Sequence, residues 1–391
     1  MEQSSDRSAF IVKGPPTYMN AEEAWQEHWG KRDGSILVIC VPEGNAYNKE
    51  ERLRSVIDDA LWERIYWVRL KSNVLYRRLP NGKFARTRMS PLRRLPRLLH
   101  DRIALDRVAR AIGPAATVFS GHNYPQEHLA ARLNPRRLYL LDAGVSILSR
   151  VSRTGYIDYR QSLNKIFRIV FALLGYRVVH RPAVRLFTAY SSELSTHHKT
   201  EPNSYQRIVA KVARSRTSGD LFWISAPLVD RYGVAPSAYA EYVRTAVEMS
   251  GHRTEDVVFI PHPGKESDAT VASLAASLTC RVDDRLIPVE MKLVRRDALP
   301  RACISPFSSS LKNLERIVGS RVALYSAWHW EFWAFADLAA WRSALESAKD
   351  LHVRFLDVND CLPLFGIRNV GGELEQFTSI TAWAEAKKLI A

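Results

Sequence analysis

Four cysteines in 391 residues, Cys40, Cys280, Cys303 and Cys361, stand in no CxxC or CxxH spacing. The chain therefore offers neither a zinc site nor a disulfide framework, and a reducing compartment is expected. Cys40 and Cys303 sit in apolar, strand-like runs, which suits buried, inert thiols better than nucleophiles. Long apolar runs are also missing. The longest, around Ile169 to Tyr176, falls far short of the roughly 20 residues that a bilayer span needs. Met1 to Arg7 contains no basic stretch leading into an apolar one, so no secretory leader is expected and a cytoplasmic location is. There is no low-complexity tract and no short repeat. With 46% hydrophobic and 25% charged residues, disorder and fibrous architectures are excluded, and the length suits two domains of about 150 to 200 residues each.

Acidic residues are scarce in one half only. Residues 1–200 hold 33 Lys and Arg against 18 Asp and Glu, whereas residues 201–391 hold 23 of each, so the net charge of +15 lies entirely in the first half. From Lys71 to Arg102 ten cationic residues face Asp101 alone, and from Arg132 to Arg185 eleven face Asp142 and Asp158. A field so one-sided attracts a polyanion or an anionic membrane surface, unless it is only a solvated basic face. Nucleic acid is not expected as a partner, because the aromatics form no RNP, zinc-finger or helix-turn-helix pattern.

Apolar, β-branched runs recur between helical stretches. Ser35–Val41, Ile65–Leu70, Thr117–Ser120 and Leu138–Leu141 read as strands, with helices over Glu50–Arg64 and Arg97–Ile112. A polar stretch, Tyr190–Ser204, interrupts the alternation and leads into a linking helix, Tyr205–Arg214. The pattern then restarts with strands at Leu221–Ile224, Asp256–Ile260, Ala302–Ile304 and Val322–Tyr325, and helices at Ser237–Ser250 and Ala269–Leu278. Continuous apolar strands alternating with helices imply parallel sheets covered on both faces. The expected organisation is α/β: an N-terminal basic domain over 1–204, a second domain over 205–370, and a final helix in 371–391 packing back toward the first. Two doubly wound domains facing each other would bring the carboxyl ends of their strands around one cleft, where open α/β sheets bind ligands.

Three strand ends carry chemistry. Leu141-Asp142-Ala143-Gly144 puts a lone carboxylate after an apolar strand, either a general base with a raised pKa or a turn or capping aspartate. Pro261-His262-Pro263 holds an imidazole on a stiff backbone, suited to a phosphate ligand and proton donor, or else a plain turn histidine. Ser305-Pro-Phe-Ser308-Ser309-Ser310 opens a helix, where hydroxyls and free N–H groups gather for an anion or merely cap the helix. A serine-hydrolase reading fails because no G-x-S-x-G elbow is present. Ser120-Gly121-His122-Asn123, also at a strand end, is the candidate for acceptor contacts. The aromatic run Trp328–Trp333 suits packing between the domains, or stacking on a sugar or base. Leu163–Leu174 reads as a core helix or, with Lys165 and Arg168 among its apolar residues, as an interfacial one. His197-His198 in the polar stretch lacks a third ligand nearby and reads as a solvated loop rather than a metal site.

An acidic-x-Gly after an early strand, a His-Pro after a later one and a Ser-Ser pair in Pro-x-Ser-Ser-x-Leu together resemble the bacterial sialyltransferases and polysialyltransferases of the His-Pro/Ser-Ser type. Phe222–Leu228 and Leu286–Glu290 echo segments of that family, and the likeness spans roughly residues 115 to 330. The resemblance implies a two-Rossmann, GT-B-type glycosyltransferase that transfers sialic acid from CMP-sialic acid with inversion and needs no metal or other cofactor. It implies that Asp142 is the general base, that His262, with Pro263, contacts and protonates the departing CMP phosphate, that Ser308 and Ser309 bind the same phosphate, and that Glu290 contacts the cytidine or ribose. Ala143 stands where the family has a second acid, which leaves Asp158 and His122 as other bases. The implied partners are a CMP-sugar donor and an acidic glycan or glycolipid acceptor, with peripheral contact to an anionic membrane in view. A transferase for another CMP-linked acidic sugar such as Kdo, and a non-catalytic polyanion-binding protein on the same scaffold, are the alternatives.

Overall fold

A computed structural model describes residues 7–43, 49–71, 76–78, 84–86, 91–121, 124–141, 165–177, 184–191, 194, 199–262, 266–283, 287–296, 298–306, 308–334, 352–358 and 364. The chain divides into two compact units, the first through Ala210 together with Leu286–Met291, the second from Lys211 onward together with Leu79–Lys83. In order, the first holds β1 (Ser8–Val12), α1 (Pro15–His28), β2 (Ser35–Pro42), α2 (Lys49–Arg54), β3 (Arg64–Leu70), β4 (Tyr76–Arg78), β5 (Phe84–Arg86), α3 (Pro91–Ile112), β6 (Thr117–Ser120), α4 (Tyr124–Arg132), β7 (Arg137–Leu141), α5 (Lys165–Leu173), β8 (Val184–Thr188) and β9 (Thr200–Pro202); α6 (Gln206–Val212) straddles the division. The second continues with β10 (Arg216–Thr217), β11 (Leu221–Ile224), α7 (Leu228–Tyr232), α8 (Pro236–Met249), β12 (Val257–Ile260), α9 (Asp268–Leu278), β13 (Arg281–Val282), α10 (Val289–Arg295), whose first three residues divide with the first unit, β14 (Ala298–Leu299), β15 (Ala302–Ser305), α11 (Ser309–Val318), β16 (Ala323–Trp328) and β17 (Val353–Asp357).

Both main sheets are wholly parallel and doubly wound. The first runs β3-β2-β1-β6-β7-β8-β9 and the second β13-β12-β11-β15-β16-β17. Each starts in the middle, grows one way, then returns to the first strand and grows the other way, which is the Rossmann order with a switch point beside that first strand. The switch points lie between β1 and β6 and between β11 and β15. This is the α/β class, with two Rossmann-like units, that the alternation led one to expect.

The central strands are apolar because helices cover both faces: Leu37, Val38 and Ile39 of β2 and Leu221, Phe222 and Trp223 of β11 are fully buried. In the first unit Phe10, Phe119 and Tyr139 occupy matching registers on β1, β6 and β7 and stack in a row, 4.9 and 4.6 Å between ring centroids. Each such pair adds about 0.5 to 1.5 kcal/mol beyond its buried area. Cys40 and Cys303 are buried, and burial pushes the Cys40 thiol up to about 12 and the Cys303 thiol up as well.

Some expectations need correction. The helix expected over Glu50–Arg64 is only α2 followed by a single turn at Asp59–Leu61. Asp58 stops it: its backbone N–H donates to the Tyr18 hydroxyl at 2.8 Å and its carboxylate accepts the Ala60 N–H. The polar stretch Tyr190–Ser204 does not simply interrupt the sheet, because β9 adds a seventh strand. Its Glu201 accepts from Arg185 at 2.7 Å and from the Tyr139 hydroxyl at 3.1 Å, so polar contacts replace an apolar face. Of the aromatic run, Trp328 and Phe332 serve the second unit's own core, where Phe332 meets Trp328 at 5.3 Å and Tyr242 at 6.0 Å. The expected helix in 371–391 and the His197-His198 pair lie outside the described residues.

Candidate functional site

The switch point of the second unit gathers the carboxyl ends of three neighbouring strands: β11 continues into Ser225, β12 into His262, and β15 into Ser308. Ile224 lies beside Ile260, and Trp223 beside Ile304. The Ser225 N–H closes one seam on the Ile260 carbonyl at 2.9 Å. The buried Ser305 hydroxyl closes the other by donating to the Ile224 carbonyl at 2.8 Å.

Glu266, only 2% exposed, organises this edge. It accepts the Ser225 hydroxyl at 2.5 Å and the His262 backbone N–H at 2.5 Å. Behind it, the Trp223 indole N–H (3.2 Å) and the Ala226 N–H (3.3 Å) both reach the Tyr239 hydroxyl. That hydroxyl lies 2.9 Å from Ser225, and with the serine's proton committed to Glu266 it is the tyrosine that donates to the serine. Burial, then the nearby charge of Glu266, holds the Tyr239 phenol well above its ordinary pKa, so it stays a neutral donor. The result is a directed chain, Trp223 to Tyr239 to Ser225 to Glu266, in which each bond polarises the next.

Ser308 caps α11: its hydroxyl oxygen accepts the Ser310 N–H at 3.2 Å. The capping role and an anion-binding role are compatible, since capping uses the hydroxyl oxygen as an acceptor and the residue stands at the positive end of a 10-residue helix. Ser309 opens the helix backbone. Glu290 is 5% exposed on α10, and it falls in the segment that divides with the first unit rather than with His262 and Ser308.

In the first unit Gly121 sits at the matching switch point. Its N–H donates to the Ile11 carbonyl at 3.0 Å, and the buried Gln126 donates to the same carbonyl at 3.2 Å. A Cβ on Gly121 would lie 3.0 Å from the Gln126 side chain, a tight approach that favours the glycine. At the end of β1 the Thr17 hydroxyl oxygen takes the N–H groups of Lys13 and Gly14 at 3.1 and 3.2 Å. Asp142, Ala143, Asp158, His122, Asn123 and Pro263 lie outside the described residues.

The residues that strand-end reading missed are Ser225, Tyr239 and Glu266. Ser225 directly follows an apolar strand, the same signal that exposed His262. Glu266 had none, because its partner Ser225 is 41 positions away. Among the described residues no three His, Cys, Asp or Glu side chains are grouped as metal ligands would be.

No protein-family model matches the sequence, and no curated protein matches it. Solved structures with similar coordinates include UDP-GlcNAc 2-epimerase from Methanocaldococcus jannaschii (9% identity, 98% of this chain and 99% of that one, TM-score 0.46). Another is the Arabidopsis thaliana UGT89C1 complexed with UDP (12%, 97% and 90%, 0.46). A third is the 2,6-sialyltransferase of Photobacterium sp. JT-ISH-224, in a complex with CMP and lactose (12%, 89% and 78%, 0.45). No reaction carries over to this chain from likeness at that level.

Proposed function

We propose that the protein is an inverting glycosyltransferase whose donor is a CMP-linked nine-carbon acidic sugar, with sialic acid as the first choice. The observation that carries the reading is the convergence of His262, on a backbone held by Glu266, with Ser308 at the start of α11, at the switch point of one Rossmann-like sheet. A phosphate needs cationic or neutral hydrogen-bond donors and a positive helix end, and these strand ends supply them. The motif order Asp142, His262, Ser308-Ser309 supports the donor class.

In this reading the acceptor hydroxyl oxygen attacks the anomeric carbon as the bond from that carbon to the phosphate oxygen breaks. Asp142 takes the hydroxyl proton, and His262 gives a proton to the departing phosphate, so CMP leaves with its charge partly neutralised. Well-placed acid and base groups each contribute about a hundred- to ten-thousandfold. The basic first half is suited to an acidic glycan acceptor.

The test is CMP release from CMP-sialic acid with acidic oligosaccharide acceptors, with and without EDTA, in the wild type, Asp142→Ala and His262→Ala. Turnover that survives EDTA and collapses in both variants supports the assigned roles. CMP binding with turnover only on CMP-Kdo or a related donor would move the substrate to another acidic sugar. Absence of CMP binding would overturn the proposal in favour of a polyanion-binding scaffold.

A further inference from the structure

Six large hydrophobic side chains are exposed among the described residues, and four of them lie on α3 and α5: Leu99 at 41%, Ile103 at 44%, Ile169 at 60% and Leu173 at 82%. Leu99 and Ile103 are four residues apart on one helix, and so are Ile169 and Leu173 on the other, so each pair lies along one face. The two helices are tied together just there. Leu98 packs with Phe171 and Tyr176 beneath the surface, the Tyr176 hydroxyl donates to the Leu98 carbonyl at 2.7 Å, and Arg102 donates to the Leu174 carbonyl at 2.9 Å.

The charge around these side chains has one sign. α3 carries six arginines and two aspartates, and α5 carries Lys165 and Arg168 with no acid. Both aspartates are paired or hydrogen-bonded. Asp101 is fully buried and accepts the Lys71 N–H at 2.7 Å, and Asp106 pairs with Arg102, Arg132 and His128 at 3.1, 2.9 and 3.2 Å. Arg107, Arg110 and His100 are exposed on α3, as is Arg177 just after α5.

From this we infer that the outer faces of α3 and α5 seat the protein on an anionic lipid surface, with Leu99, Ile103, Ile169 and Leu173 in the headgroup boundary and the arginines on the phosphates. Apolar side chains flanked by exposed cations are the makeup of an interfacial site. A second copy of the chain is the weaker occupant, since two such faces would bring like charges together. A soluble acidic glycan would meet the arginines but would not bury an isoleucine and a leucine. Among the described residues no helix is long and apolar enough to cross a bilayer, so the contact is with the surface alone. The inference holds whichever reaction the strand ends perform.

The experiment is co-sedimentation of the full chain with vesicles of phosphatidylcholine alone and of phosphatidylcholine mixed with phosphatidylglycerol, at low and high salt. The wild type should partition onto the anionic vesicles, and salt should weaken it. Ile169→Glu with Leu173→Glu should lower that partition about tenfold or more, and the single change Leu173→Gln, at an 82% exposed position whose loss cannot unfold the core, should lower it in the same direction. Wild-type protein that ignores phosphatidylglycerol, or variants that bind like the wild type, would overturn the inference. A concentration-dependent dimer that the substitutions dissolve, without lipid binding, would overturn it in favour of self-association.

Discussion

Glu266 and Ser225 meet at 2.5 Å across the gap between the loop after β12 and the end of β11, and the same carboxylate holds the backbone N–H of His262. One buried acid thus fixes the height at which the histidine leaves the sheet. Glu266→Gln replaces one accepting oxygen by an NH2 group, which must face either the Ser225 hydroxyl or the His262 N–H. We expect a loss of about 1 to 3 kcal/mol in unfolding free energy. On the proposed reaction we also expect a fall in kcat larger than any change in KM, because donor contacts remain while the proton donor is misplaced. Denaturant titration and steady-state kinetics check the two parts separately, and an unchanged kcat in a destabilised variant would confine Glu266 to a structural role.

Gly121→Ala tests the other switch point. Gln126 is fully buried and cannot swing into solvent, so a Cβ at 3.0 Å must shift it by a few tenths of an ångström and weaken its bond to the Ile11 carbonyl. A destabilisation of about 1 to 2 kcal/mol is expected. In a Gln126→Ala background the same change should cost clearly less, since the obstructing group is gone; a double-mutant cycle by thermal or chemical unfolding measures the difference.

The sequence was legible where burial is uniform. β2, β6, β11 and β12 are apolar on both faces, so their runs stand out without periodicity. β1 escaped because it opens with Ser8 and Ala9, which leaves Phe10–Val12 as its apolar run. α1 escaped because Asn20, Glu22 and Glu23 are buried inside it, which defeats an apolar stripe. β9, Thr-Glu-Pro, carries no apolar signal at all. At the site, His262 and Ser308 could be found because strand ends are where α/β sheets keep their chemistry, whereas Glu266 acts through a fold contact that no local pattern encodes.

Glu23 makes a pH prediction for the first unit. It is fully buried on α1 and accepts the N–H groups of Arg207 and Ile208, both at 3.1 Å. Burial is the main cause of its raised pKa, about 7 against an ordinary 4.5. A carboxyl whose folded pKa is raised contributes stability that is full below its unfolded pKa and lost as pH rises through the folded value. The contribution from Glu23 should therefore fall by about 3 kcal/mol between pH 4.5 and 7. In Glu23→Gln that fall should be absent, so the variant gains on the wild type as pH rises across this window; a parallel pair of pH-stability curves would show that Glu23 ionises normally.

His329 makes the opposite prediction for the second unit. It follows β16 and is fully buried, and its Nδ1 lies 3.3 Å from the Glu331 backbone nitrogen and 3.4 Å from the Glu331 carboxylate. Desolvation lowers its pKa from 6.5 to about 4. A histidine with a depressed folded pKa contributes stability that is present above its unfolded value and lost as pH falls toward the folded one. Acidification from pH 6.5 to 4 should thus cost about 3 kcal/mol through His329 alone. Over the shared range the Glu23 and His329 effects oppose each other, and in the wild type they partly cancel if the chain unfolds in one step. If the two units unfold separately, acid should instead split the transition, the first unit gaining stability while the second loses it. His329→Gln removes the second trend and leaves the first, so calorimetry of the wild type, Glu23→Gln and His329→Gln between pH 4 and 7 assigns each transition to its unit.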